Sequence, residues 1–198
     1  MIDGNVRMKR FFIFLLVLGL FPGGGRAASA EPSYPGATSQ LELSLVKNAE
    51  AGRANAQYLL GYLWANGVCR PRDPEKGLAL FRRAAEQGHA LALHELATHY
   101  YYGRGVKRDL AEAARLFRVA AEAGHAESQY NMGIFLENGE GLEPDPEEAV
   151  KWYRRSAAQG FARAQYNLGV AYRDGQGVPQ DDAESARWYL IAADNGDL

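Results

Sequence analysis

The side chains best equipped for chemistry in this chain are four histidines, one cysteine and a recurring set of carboxylate pairs. His89, His94, His99 and His125 gather in one stretch, which makes a metal site the first thing to test. His94 and His99 are five residues apart and share a helical face poorly. No second carboxylate or cysteine accompanies them at a recognised ligand spacing, so no metal is expected. Asp109 and Glu112, Asp145 and Glu148, and Asp181 and Glu184 could serve as acid–base pairs, but they recur at one fixed interval, as helix caps do. Gly103-Arg-Gly105, Gly139-Glu-Gly141 and Gly175-Gln-Gly177 could cradle a phosphate, yet they lack the lysine and the preceding strand of a P-loop. There is no G-x-S-x-G, and Cys69 has neither an adjacent histidine nor a second cysteine to pair with. No catalytic residue and no cofactor is expected. As a lone thiol, Cys69 could only bridge to another molecule.

The interval itself is the informative fact. Gly52, Gly88, Gly124, Gly160 and Gly196 stand 36 residues apart and delimit four units, 53–88, 89–124, 125–160 and 161–196. A fixed period in this range means a stacked array, because each unit can bury its apolar face only against its neighbours. In the first half of each unit, small and apolar residues fall at i, i+4, i+8, as in Ala56, Leu60 and Trp64 or Ala164, Leu168 and Tyr172. That is a helical stripe. Gly61, Gly133 and Gly169 lie inside this helix, with Ala97 at the same place in unit two. Interior glycine costs about 1 kcal/mol relative to alanine, so it predicts a close helix crossing. The helix stops at Gly67, Gly103, Gly139 and Gly175, suited to a left-handed cap.

Asp73, Asp109, Asp145 and Asp181 then mark the N-cap of a second helix, with Pro74 and Pro146 at its first position. Glu112, Glu148 and Glu184 complete the pattern of a capping box. Lys76 breaks it in unit one, which predicts a less firm start there. Each second helix carries a large pair (Leu80-Phe81, Leu116-Phe117, Trp152-Tyr153, Trp188-Tyr189) and then a small one (Ala84-Ala85, Ala120-Ala121, Ser156-Ala157, Ala192-Ala193). Large beside small is how facing helices interdigitate.

The chain opens with Arg7, Lys9 and Arg10, an apolar run from Phe11 to Phe21, and Ala28-Ser29-Ala30, an A-x-A cleavage site. This order describes a secretory signal (1–30), cut after Ala30, with either Met1 or Met8 as the start. The run is too short for the ~20 residues that cross a bilayer, so no membrane span is expected after cleavage. The mature protein is expected in the periplasm or outside the cell. Without the signal, 18 basic and 23 acidic residues remain, a net charge of −5 that offers no footprint for nucleic acid. Residues 31–40 read as a linker and 41–52 as a helix capping the first unit.

Ala164-Gln-Tyr-Asn-Leu-Gly169, Gly175-Gln-Gly177-Val178, Asp181, Trp188-Tyr189 and Ala192-Ala193 with Gly196 closely resemble the Sel1-like repeat. That repeat is a helical-hairpin relative of the tetratricopeptide repeat, and the resemblance covers Leu41 to Gly196. It implies an all-α fold, a right-handed α-solenoid of four hairpins that binds protein partners on its concave face without chemistry of its own. Secreted bacterial members of such a family act as adaptors or regulators in the cell envelope, and that function is expected here, by analogy of fold. The alternative is a structural part of an envelope machine. Trp64 to Leu78 is similar to a unit of a periplasmic flagellar motor protein of the MotX type. An enzyme of β-lactam-binding or hydrolase type comes third, because the disulfide pairs of such relatives are missing.

Carried over to this sequence, the hairpin geometry turns the first helices towards the groove. It gives a ladder of Tyr58, His94, Tyr130 and Tyr166 and a second ladder of Asn66, Tyr102, Asn138 and Asp174, with Thr98 between them in unit two. Tyr100-Tyr101-Tyr102 beside Arg104 makes unit two the expected main contact, since tyrosine and arginine are enriched at binding hot spots. Leu190 stands where Arg82, Arg118 and Arg154 stand in the other units. With Ile191 it gives the last helix an apolar face suited to a homodimer or to docking, and Cys69 is the third residue placed in that group.

Overall fold

In the computed structural model the described residues from Ser44 onward form one compact unit. The described residues are 40–68 and 70–196. The expected signal peptide, the linker up to residue 39, and Cys69 lie outside them. Among the described residues there are nine helices and no strand. They are α1 (Gln40–Glu50), α2 (Ala54–Asn66), α3 (Pro74–Ala85), α4 (Ala90–Tyr102), α5 (Leu110–Glu122), α6 (Ala126–Asn138), α7 (Pro146–Ala158), α8 (Ala162–Asp174) and α9 (Asp182–Asp194). The expected all-α array of hairpins is what the chain forms. Helices α2 and α3, α4 and α5, α6 and α7, and α8 and α9 are the four hairpins, and α1 provides the buried Ala49 that packs with Ala56 and Leu60 of α2.

The second helices start where the aspartates require. Asp73 accepts from the amide of Lys76 at 3.0 Å, Asp109 from Glu112 at 3.0 Å, Asp145 from Glu148 at 2.8 Å, and Asp181 from both Ala183 and Glu184. The reciprocal half of the capping box is not made. The amides of Asp73, Asp109, Asp145 and Asp181 already donate to Trp64, Tyr100, Leu136 and Tyr172 near the end of the preceding helix. Those bonds close the hairpin and leave the glutamates nothing to cap. Glu112 and Glu184 turn instead to Arg115 and Arg187, and Glu148 to Arg118 and Trp152. Unit one also starts firmly, because Lys76 Nζ lies 2.9 Å from the Asp73 carboxylate as well as donating its amide.

The two helices of a hairpin meet at the interior glycines. A methyl group at Gly133 would fall on the Tyr153 ring, and one at Gly61 would stand 3.0 Å from Phe81. Unit two tolerates Ala97 opposite Phe117, both buried. Tyr153 donates its hydroxyl to Glu137 at 2.6 Å, and burial pushes its pKa well above the usual phenol value. At the matching place in unit four, Arg173 replaces that glutamate and pairs with Asp174, and the Tyr189 hydroxyl has no partner among the described residues. The second glycine of the loop is equally constrained. Gly141 has φ +71, and a side chain there would strike the backbone of Leu110 and Ala111 in the preceding unit.

Consecutive hairpins are joined by a polar device that the periodicity did not announce. Gln57 reaches the carbonyl of Ala49 at 3.2 Å, Gln129 that of Ala121 at 3.0 Å, and Gln165 that of Ala157 at 3.1 Å. Each of these amides also accepts from a side chain thirty residues on, Gln87, Gln159 and Asn195. In unit two both partners are apolar, Leu93 and Ala123. The pairs therefore change together, as a buried hydrogen bond demands: losing one partner costs about 1–3 kcal/mol, while replacing both can be nearly neutral. Gln129→Leu is expected to lower stability by about 1–2 kcal/mol, and Gln129→Leu with Gln159→Ala by less than the single change. Urea unfolding of both variants and of Gln159→Ala measures the coupling, and strict additivity would remove this account.

Candidate functional site

The first ladder is packing before it is surface. Tyr58 lies against Phe81 and stacks on His89 with ring centroids 4.9 Å apart. Tyr130 meets Tyr153 and Phe161, and His94 meets Phe117 and His125. Each of these rings therefore touches its own second helix and the residue just before the next first helix. Burial raises the Tyr58 pKa to about 12, with Glu95 and Glu127 adding to the effect. Burial first, and the neighbouring His125 second, lower that of His94 to about 4. Tyr166 packs on Tyr189 but keeps 39% of its surface exposed. Thr98 spends its hydroxyl on the carbonyl of His94 at 3.0 Å.

The second ladder is exposed throughout. Asn66 donates to Tyr62, Asn138 leans towards Glu140 at 3.4 Å, and Asp174 is held by Arg173 at 2.7 Å. Tyr102 differs from these three by presenting a large apolar face, 57% exposed. Arg104 lies over its ring at 4.4 Å, and Tyr101 meets it edge-on at 4.8 Å. Arg108 fixes the base of this patch by donating to the Tyr101 carbonyl at 3.0 Å. Tyr101 itself turns inward against Phe135 of the next unit, so the two neighbouring phenols have different tasks. Beside the patch, Asn66, Arg72, Glu95, His99 and Arg104, with Phe81 and Pro74, line a cleft of about 350 Å³. At the other end, Leu190 is 69% exposed and Ile191 half-buried. Arg118, at the place of Leu190, reaches the next unit's Glu148 at 2.7 Å. No helix among the described residues is long and apolar enough to cross a membrane.

The Sel1 repeat pattern matches four times in succession, at residues 54–89, 90–125, 126–161 and 162–197. The chain belongs to the Sel1 repeat family. No curated protein matches it. Among solved structures, it is similar to a protective antigen present in uropathogenic Escherichia coli strains that displays the same repeat fold. The identity is 38% and the TM-score 0.75, over 78% of this chain and 33% of that one. A Sel1 repeat protein from Oxalobacter formigenes shares 32% identity at a TM-score of 0.74, over 81% of this chain and 66% of its own. A third, a putative Sel1 repeat protein from Klebsiella pneumoniae, stands at 25% and 0.55, over 77% of this chain and 73% of that one. The chain thus spans a third of the first relative's length and 66% of the second's. Sel1 repeats mediate protein–protein interactions, and an array of them is an interaction scaffold.

Sequence reasoning grouped His125 with His94 but judged the set on the His94–His99 spacing, and it missed Glu127 and Ser128. His125, Glu127 and Ser128 join it across the boundary between units two and three, 31 to 34 positions away. Spacing rules search within one helix, so a cluster built between helices one repeat apart escapes them. The surface patch yields a simpler check. Tyr102→Ala is expected to leave stability within about 0.5 kcal/mol of the wild type, as exposed substitutions do. Tyr101→Ala, which empties a contact with Phe135, is expected to cost more than 1 kcal/mol on the order of other buried aromatic losses. Equal midpoints in urea would refute this division of labour.

Proposed function

We propose that this Sel1 repeat protein is exported to the bacterial cell envelope and acts there as a non-enzymatic adaptor or regulator. It works by presenting its first-helix face and the adjoining loops to another protein. The observation that carries this reading is the patch of Tyr102 and Arg104 at the end of α4. Its aromatic face is exposed, yet it is already ordered by Arg104 above and by Tyr101 beside it, whose own carbonyl is held by Arg108. Preordered side chains lose less entropy on binding, which is how a few residues come to dominate an interface. The other members of the second ladder, Asn66, Asn138 and Asp174, supply exposed polar groups of the kind that surround such a centre.

The test is capture of partners from envelope fractions by immobilised protein. Tyr102→Ala and Arg104→Ala are expected to reduce capture of the wild-type partner at least tenfold, about 1.4 kcal/mol or more. Their thermal midpoints should stay unchanged. Capture at wild-type strength by both variants would dismiss the patch.

Export has its own measurement. The signal-like opening predicts that protein produced in a Gram-negative host is recovered from the periplasm with Glu31 at its amino terminus. Recovery of an uncut chain from the cytoplasm would contradict the envelope reading and leave the interaction surface standing.

A further inference from the structure

At the junction of units two and three, several departures from the repeat fall on one spot. The ladder position held by Tyr58, Tyr130 and Tyr166 becomes His94. Its ring partner, Phe161 at the next boundary, is here His125, a residue that the boundary before shares as His89. The alanine found at positions 56, 92 and 164 becomes Ser128, and Glu127 stands beside it where the other units carry Asn55, Leu91 and Arg163. His125, like His89, caps its helix, but packing alone needs neither His94 nor Ser128, since tyrosine and alanine serve at those places in the sister units.

The geometry gives them a common purpose. The two imidazole rings meet at 4.7 Å, edge towards face. Ser128, fully buried, places its Oγ 2.9 Å from His94 Nδ1 and 2.8 Å from His125 Nδ1. A hydroxyl oxygen has two lone pairs and can accept an N–H from each ring. His125 Nδ1 also accepts the Ser128 amide at 3.3 Å as the cap of α6, so an ion must exchange that long bond for one from Nδ1–H to Ser128 Oγ. With both rings then donating through Nδ1, both Nε2 lone pairs are free. Metal-ligating histidines adopt this arrangement, with the second ring nitrogen donating to an oxygen that fixes the tautomer. On the far side of His94, its Nε2 lies 3.8 Å from a Glu127 oxygen. One ligand atom from each of His94, His125 and Glu127 lies within 4.8 Å of the other two. Tetrahedral zinc holds such atoms roughly 3.3–3.4 Å apart, given bonds of about 2.0–2.1 Å. Glu127, half of whose side chain is exposed, is free to swing in by that difference.

We propose that His94, His125 and Glu127 bind a divalent transition-metal ion of the zinc class, with Ser128 as the positioning residue. Two imidazoles and one carboxylate suit zinc, and three protein ligands leave a fourth position open. The ion ties α4 to the start of α6, so it pins two consecutive repeats together. This site is independent of the patch at Tyr102.

The experiment uses the mature protein without a histidine tag. Zinc is followed by calorimetry, and cobalt by its visible absorption. The wild type is expected to bind one ion per chain, with the intense cobalt bands of low coordination number. His94→Tyr and Ser128→Ala install residues that sister units already carry, so both variants should fold. His94→Tyr is expected to abolish the stoichiometric site, Glu127→Gln to weaken it at least tenfold, and Ser128→Ala to weaken it 10- to 100-fold. His99→Ala should change nothing. Absence of stoichiometric binding in the wild type would overturn the proposal. So would binding that survives His94→Tyr and Glu127→Gln.

Discussion

The contact on which this structure depends is an aromatic ring lying on a residue that has almost no side chain. Phe81 lies on Gly61, Tyr153 on Gly133 and Tyr189 on Gly169 where the two helices of a hairpin meet, and unit two carries the small, buried Ala97 at the same place. The ring supplies buried apolar area, and the missing methyl groups let it settle flat against the opposite backbone. Everything else is arranged to keep that contact in register. The aspartate caps fix where the second helix begins, and their amides fasten it to the end of the first. The loop glycines let the turn between them press against the preceding unit.

Much of this was legible beforehand because it recurs. A feature that appears four times at one spacing identifies itself, whether it is Asp109 at a helix start or Gly133 inside a helix. Repetition misled at the capping boxes. The acid three residues after each aspartate fitted the motif, but only the hairpin geometry reveals that the amide it should cap is taken. The glutamine pairs went unread for a different reason. Gln129 and Gln159 are thirty residues apart, and nothing in helical periodicity relates the start of one helix to the end of another. The cluster at His94 was hidden by the same distance. Repeats bring together residues one period apart, so the reach of a spacing argument should be the period as well as the turn.

The candidate surface follows the same division. Residues that match the repeat are committed to its core, as the stacking of Tyr58 and Tyr130 demonstrates. What is left for recognition lies where the units differ and the side chain faces water. Tyr102 satisfies both conditions, whereas Tyr101 satisfies only the first. A family-level likeness therefore locates the scaffold, and its exceptions locate the specificity. That is why solved relatives describe the frame of this protein better than its partner.

The amide bridges also bear on the mechanics of the array. A hydrogen bond fixes an angle as well as a distance, and an apolar contact fixes only the distance. The joints between α1 and α2, α5 and α6, and α7 and α8 each carry one glutamine bond across them. The joint between α3 and α4 carries Leu93 instead. Flexing that joint stretches no bond of this kind, while an equal flexion at the others must. Of these joints, the one set immediately before the unit that bears Tyr102 is therefore the one expected to yield first under load.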